Sequence, residues 1–150
     1  MSAVADILAC NRALLVHFDS YSAALYFGKW GPTLLTPASL PESAAPISPP
    51  AQVGPEHDVK AVMGAVVEQL GLVAEEVEPL DDFHHWFQTD AGPVRVHLLK
   101  FTTFEPPKAL LERGGGVFKA ISELRGSPRE ELALAREVFN LIIGAGGGRA

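Results

Sequence analysis

Apolar residues at the start of the chain recur at alternating spacings of three and four: Val4, Ile7, Leu14, Phe18, Tyr21 and Leu25, with Asn11 in the same series. That period belongs to a helix with one packed seam. Residues 3–27 are therefore expected as one long amphipathic helix, ended at Gly28 and kept from resuming by Pro32. A competing reading makes 14–18 and 24–27 two strands that turn at Asp19-Ser20. The seam runs on through that turn, which favours the helix. A polar residue such as Asn11 inside an apolar seam specifies register and oligomer state in helical assemblies, so a homodimer is the expected assembly.

From 30 to 56 the pattern is lost. Pro32, Pro37, Pro41, Pro46, Pro49, Pro50 and Pro55 exclude helix and central strand. The stretch is expected as a linker or wrapped loop, tacked down by Leu34, Leu35, Leu40 and Ile47, and 32–50 as the least protected part of the chain. A helical stripe returns at Val59, Val62, Met63, Val66, Val67 and Leu70, opened by Gly54-Pro55 and stopped by Gly71. A strand is expected over 72–80, closed by Pro79.

Between 83 and 101 the apolar positions alternate, the mark of strands. With a turn on Ala91-Gly92 the segment becomes a hairpin. Phe87 then faces Val96, and Trp86 faces His97. Phe83, Phe87, Val94, Val96 and Leu98 share the core face; Asp82, His84, Trp86, Gln88, Arg95, His97 and Leu99 share the other. Beyond it, Pro106-Pro107 opens a short helix through Arg113, the Gly114-Gly115-Gly116 run breaks it, and a helix is expected over 117–125. Ser127-Pro128-Arg129-Glu130 has the form of a capping box for a last helix reaching about Ile143.

Strands and helices are segregated, which predicts an α+β fold: an antiparallel sheet of two to three strands with a central β-hairpin, packed by flanking helices and preceded by the long N-terminal helix. The expected divisions are a helical arm at 1–30, the Pro-rich linker at 31–55, the α+β core at 56–143 and a flexible glycine-rich tail at 144–150.

Composition narrows the function. The 150-residue chain is 47% hydrophobic and has a formal net charge of −6. Its few bases are scattered, so nucleic acid is not an expected partner. One cysteine, Cys10, excludes an internal disulfide and suits a reducing compartment. No apolar run is long enough for a membrane helix, and the start lacks a basic signal region, so a cytoplasmic location without membrane association is expected.

The candidate ligand-binding residues are His84, Trp86, Arg95 and His97, which share the polar hairpin face. Two histidines with Asp82 could make a metal site or an acid/base pair beside an aromatic floor. Cross-strand packing pairs account for the same residues more simply, so no metal and no cofactor are expected. Gly114, Gly115 and Gly116 before a helix are a candidate anion site, although no Walker lysine follows them. The resulting expectation is a small binding or assembly protein that self-associates and takes a small-molecule or protein ligand. The alternative is a small enzyme or ligand-binding domain that uses the His84/Trp86/Arg95/His97 face.

Overall fold

The computed structural model describes residues 3–83 and 85–144. Along the chain come α1 (Ala3–Ala9), β1 (Asn11–Asp19), β2 (Ala24–Trp30), β3 (Leu35–Thr36) and β4 (Ala45–Ile47). A 3-10 turn (Pro55–His57) leads into α2 (Val59–Leu70), followed by β5 (Val77–Pro79), β6 (His85–Thr89), β7 (Gly92–Phe101), α3 (Lys108–Arg113), β8 (Gly116–Ala120) and α4 (Arg129–Phe139). His84 and the tail from 145 onward, two places where expectations were raised, lie outside the described residues. Among the described residues, no helix is long and apolar enough to cross a membrane.

At the centre β1 pairs in parallel with β7, from Asn11 beside Arg95 to His17 beside Phe101. Each of the two then carries a pair of shorter antiparallel strands on its outer side. β1 takes β3 at Ala13 and Leu14 and β2 from Val16 to Asp19. β7 takes β6 near its start and β5 near its end. With β8 beyond β2 and β4 beyond β6, eight strands form one mixed sheet in the order β4-β6-β7-β1-β2-β8, with β3 and β5 off that path.

The expected small antiparallel sheet and long N-terminal helix are thereby corrected. The first helix spans only Ala3–Ala9, and the proposed seam is mostly strand. The reason is burial on both faces. Every residue from Asn11 to His17 is buried, and a doubly covered strand reads as a continuous apolar run, which fits a helical period as readily as any other. The turn falls where the competing reading had it: the Asp19 carboxylate accepts from the backbone N–H groups of Tyr21 at 2.9 Å and Ser22 at 3.4 Å.

Alternation along the strands sorts two cores. Leu14, Val16, Phe87, Val96 and Leu98 pack with Leu134, Ala135 and Val138 of α4. Ala13, Leu15, Leu99 and Phe101 pack with Leu8 of α1, Val62 and Val66 of α2, and Leu111 of α3. The second helix forms as its stripe predicts, with Asp58 accepting from the Ala61 N–H and Gly71 closing it at φ 68°. Three local expectations fail. Gly54-Pro55 opens the separate 3-10 turn, and α2 begins only at Val59. Ser127 does not cap α4; its hydroxyl is buried without a protein partner. The helix expected over 117–125 is instead β8 followed by a 3-10 turn. Gly116 fixes that strand, because a Cβ there would meet Trp30 Nε1 at 2.7 Å and Leu111 Cγ at 2.9 Å.

The Pro-rich stretch is not a loose linker throughout. Leu34, Leu35 and Thr36 are buried, and β4 pairs with β6 as an edge strand, the position where Pro46 is tolerated. A strut holds the stretch. Glu131 of α4 is buried, with one carboxylate oxygen accepting from the Leu34 N–H at 2.7 Å and the other from the Thr33 hydroxyl at 2.8 Å. Glu131→Leu leaves both donors unpaired and is expected to destabilise the protein by about 1–3 kcal/mol, with the Leu34 amide losing hydrogen-exchange protection. Glu131→Gln keeps an acceptor and is expected to lose less. Urea denaturation of the two variants measures the difference.

Candidate functional site

Asn11 opens β1 beside Arg95, on the sheet face that α1 and α2 cover. It is fully buried and uses its whole side chain. The amide nitrogen donates to the carbonyls of Ile7 at 2.8 Å and Glu56 at 2.9 Å. The amide oxygen lies 3.0 Å from both His57 Nδ1 and His97 Nε2. With the nitrogen committed to two carbonyls, the oxygen must accept from both imidazoles. His57 therefore carries its proton on Nδ1 and His97 on Nε2.

Around this hub Trp86 meets His57 edge to face, with ring centres 4.8 Å apart. The Arg95 guanidinium lies 5.6 Å from the Trp86 ring centre and donates to the His57 carbonyl at 2.9 Å. Three of the four expected ligand-binding residues, Trp86, Arg95 and His97, are thus brought together, and His84 lies outside the described residues. They do not form an open face. Trp86 is 4% and His97 3% exposed, with the Pro55–His57 turn against them.

The hairpin register differs by two residues from the expected one. Phe87 opposes Val94, Trp86 opposes Arg95, and the turn centres on Asp90-Ala91. A shift of two preserves parity, so the side chains keep their expected faces. The sequence reading missed Asn11 and His57 as members of this cluster. Asn11 was assigned to a helical seam, and His57 has no chemical neighbour nearby in the chain.

Burial sets the protonation of the hub. It pushes the His97 imidazole down to about 3, with Arg95 and His57 adding to the effect. His57 is also lowered, first by burial; Glu56 opposes this and Arg95 reinforces it. Both imidazoles are neutral donors to Asn11 at neutral pH. Among the described residues, no group of three or more His, Cys, Asp or Glu side chains is arranged to hold a metal ion.

The candidate anion site loses its premise. Gly114 and Gly115 turn α3 into a strand, so no helix start presents free amide donors, and Gly116 is paired with Trp30 in the sheet.

An open cleft of about 460 Å³ lies on the other side of β6, between the β4/β6 edge and α4. Ile47, Phe87, Ala133 and Leu134 give it apolar walls, and His85 and Glu137 pair at 3.1 Å between the strand and the helix. His85 and Glu137 both remain in contact with solvent, and Arg129 and Glu130 also line the cleft. Comparison with known protein families and with curated proteins finds no match.

The hub makes a pH prediction. A histidine whose folded pKa lies below its unfolded value contributes stability that is present above about pH 6.5 and is lost as protons bind the unfolded chain preferentially. Stability is expected to fall between about pH 6 and 4, by up to about 1.4 kcal/mol per pH unit from His97 alone. Glu131 works in the opposite direction, because burial raises its pKa and protonation on acidification favours the folded state. Urea denaturation across that range, compared with His97→Gln, checks the sign: the variant is expected to show the shallower slope.

Proposed function

We propose that the protein is a small binding domain rather than a catalyst, and that its ligand occupies the cleft between β6 and α4. The observation that carries this reading is the composition of that cleft: apolar walls from Ile47, Phe87, Ala133 and Leu134 beside a solvent-accessible His85–Glu137 pair, with Arg129 and Glu130 also in the lining, within about 460 Å³. Small-molecule sites have this character, an apolar body with a few placed polar groups. The ligand class is an amphipathic molecule with an apolar body and one hydrogen-bonding end, the latter meeting His85 and Glu137. The histidine hub also supports binding over catalysis, since Asn11 uses every donor and acceptor it has and burial keeps His97 neutral.

Anilinonaphthalenesulfonate is a suitable probe, being apolar with one polar end. The native protein is expected to bind it saturably, with a rise in fluorescence. Ala133→Trp fills the cleft from an exposed helix position and is expected to abolish the signal without lowering the unfolding temperature. Unsaturable binding, or equal binding by the variant, would sink the reading.

Self-association is a second reading with one observation behind it. β8 ends the sheet, and its Val117 is 41% exposed, so a second copy could add a strand there. Sedimentation equilibrium is expected to show a species of twice 16.0 kDa that Val117→Lys dissociates.

A further inference from the structure

On the hub's side of the sheet, away from the proposed ligand cleft, a second cavity of about 250 Å³ is lined by Cys10, Pro50, Gln52, Glu56, His57 and Trp86, among others. Two of its groups face each other without a proton between them. The Glu56 carboxylate lies 3.7 Å from His57 Nε2. Because the Nδ1 proton of His57 is given to Asn11 Oδ1, the neutral ring presents a bare lone pair at Nε2. A lone pair beside a carboxylate is an arrangement of two acceptors, favourable only when a donor joins them.

One residue anchors the backbone beneath both acceptors. Asn11 donates to the Glu56 carbonyl and accepts from the His57 ring, so the last two residues of this short turn are fixed to β1. Gly54 completes the arrangement. The Glu56 carboxylate folds back over the Gly54 Cα, where a methyl group would overlap both of its oxygens. Gly54 has φ −72° and ψ 161°, a conformation open to alanine and normal for a residue preceding proline. The absence of a side chain at 54 therefore leaves room for the carboxylate; the backbone does not require glycine.

We propose that this cavity binds a primary ammonium group, which donates to both the Glu56 carboxylate and His57 Nε2, with its short carbon chain lying along Pro50 and Trp86. Three donors on a compact cation suit two adjacent acceptors, and the carboxylate supplies the charge. Of the nearby charges, Arg95, which lowers His57, opposes a bound cation, and the Glu56 carboxylate, which raises it, favours one. Burial and Glu56 raise the Cys10 thiol pKa, so it adds no negative charge of its own. Arg95 is occupied by the His57 carbonyl and the Trp86 ring, and feels Asp58 and Asp81 on its own side. Burial keeps His57 neutral, so it does not satisfy Glu56 by itself taking a proton.

Titration of the protein with n-butylammonium, followed by the NMR signals of the His57 and Trp86 rings, tests the assignment. Saturable shifts of both rings are expected. Tetramethylammonium, a cation without N–H donors, and neutral n-pentanol are expected to produce none. Glu56→Gln removes the charge and Gly54→Ala displaces the carboxylate without deleting it. Each is expected to weaken binding by about tenfold or more at an unchanged unfolding temperature. Nα-acetyl-lysinamide separates a peptide-borne lysine from a free amine, and binding of either supports the ammonium site. The proposal is overturned if neither amine shifts the two rings saturably, if tetramethylammonium binds as well as n-butylammonium, or if the two folded variants bind like the parent protein.

Discussion

The parallel pairing of β1 with β7 is the constraint on which the rest of this molecule depends. Two parallel neighbours at the centre of a sheet must be covered on both faces. That requirement places α4 on one side and α1, α2 and α3 on the other, and it leaves β1 with no solvent face from Asn11 to His17. The same pairing decides which distant residues meet. It sets Asn11 beside Arg95 and Ala13 beside His97, and the polar cluster grows from those neighbours.

One strand separates the two cavities. Along β6, Phe87 turns to the α4 core and the open cleft, while the indole of Trp86 meets His57 edge to face and lies against the Arg95 guanidinium. Trp86 borders both cavities, so a guest in one rests on the strand that forms a wall of the other. The two proposed sites differ in kind. The larger sets apolar walls beside charged side chains of α4, whereas the smaller sets two acceptors on a turn anchored by a saturated amide.

What the sequence revealed follows from how local each signal is. The α2 stripe, its Gly71 stop and the alternation through the hairpin are set by neighbours in the chain, and they are found where the pattern places them. Parity survived even where register did not, because the faces depend only on odd and even positions. The N-terminal strands were legible only as the competing reading, for a physical reason: between Asn11 and His17 burial is uniform, and uniform burial carries no period to set against the helical one. The candidate site was half legible. Trp86, Arg95 and His97 carry their parity in the sequence, but the turn that covers them does not. Asn11 meets His57 across 46 residues and His97 across 86, and no local pattern records such contacts. Glu131 was hidden in the same way, as a charged residue next to the capping motif whose partners lie in the Pro-rich stretch.

The central pairing also has a kinetic side. The β1–β2 and β6–β7 hairpins close over short turns, so each can assemble from neighbouring residues alone. Joining β1 to β7 in parallel requires the long intervening chain to be looped back first, an entropic cost met before any of the central contacts form. The topology therefore makes the meeting of two ready-made hairpins the slow event of folding. Substitutions at Leu14 or Leu98, which sit opposite each other across that seam, would then weigh on the refolding rate, whereas changes in the turn at Asp90 would be felt mainly in the rate of unfolding.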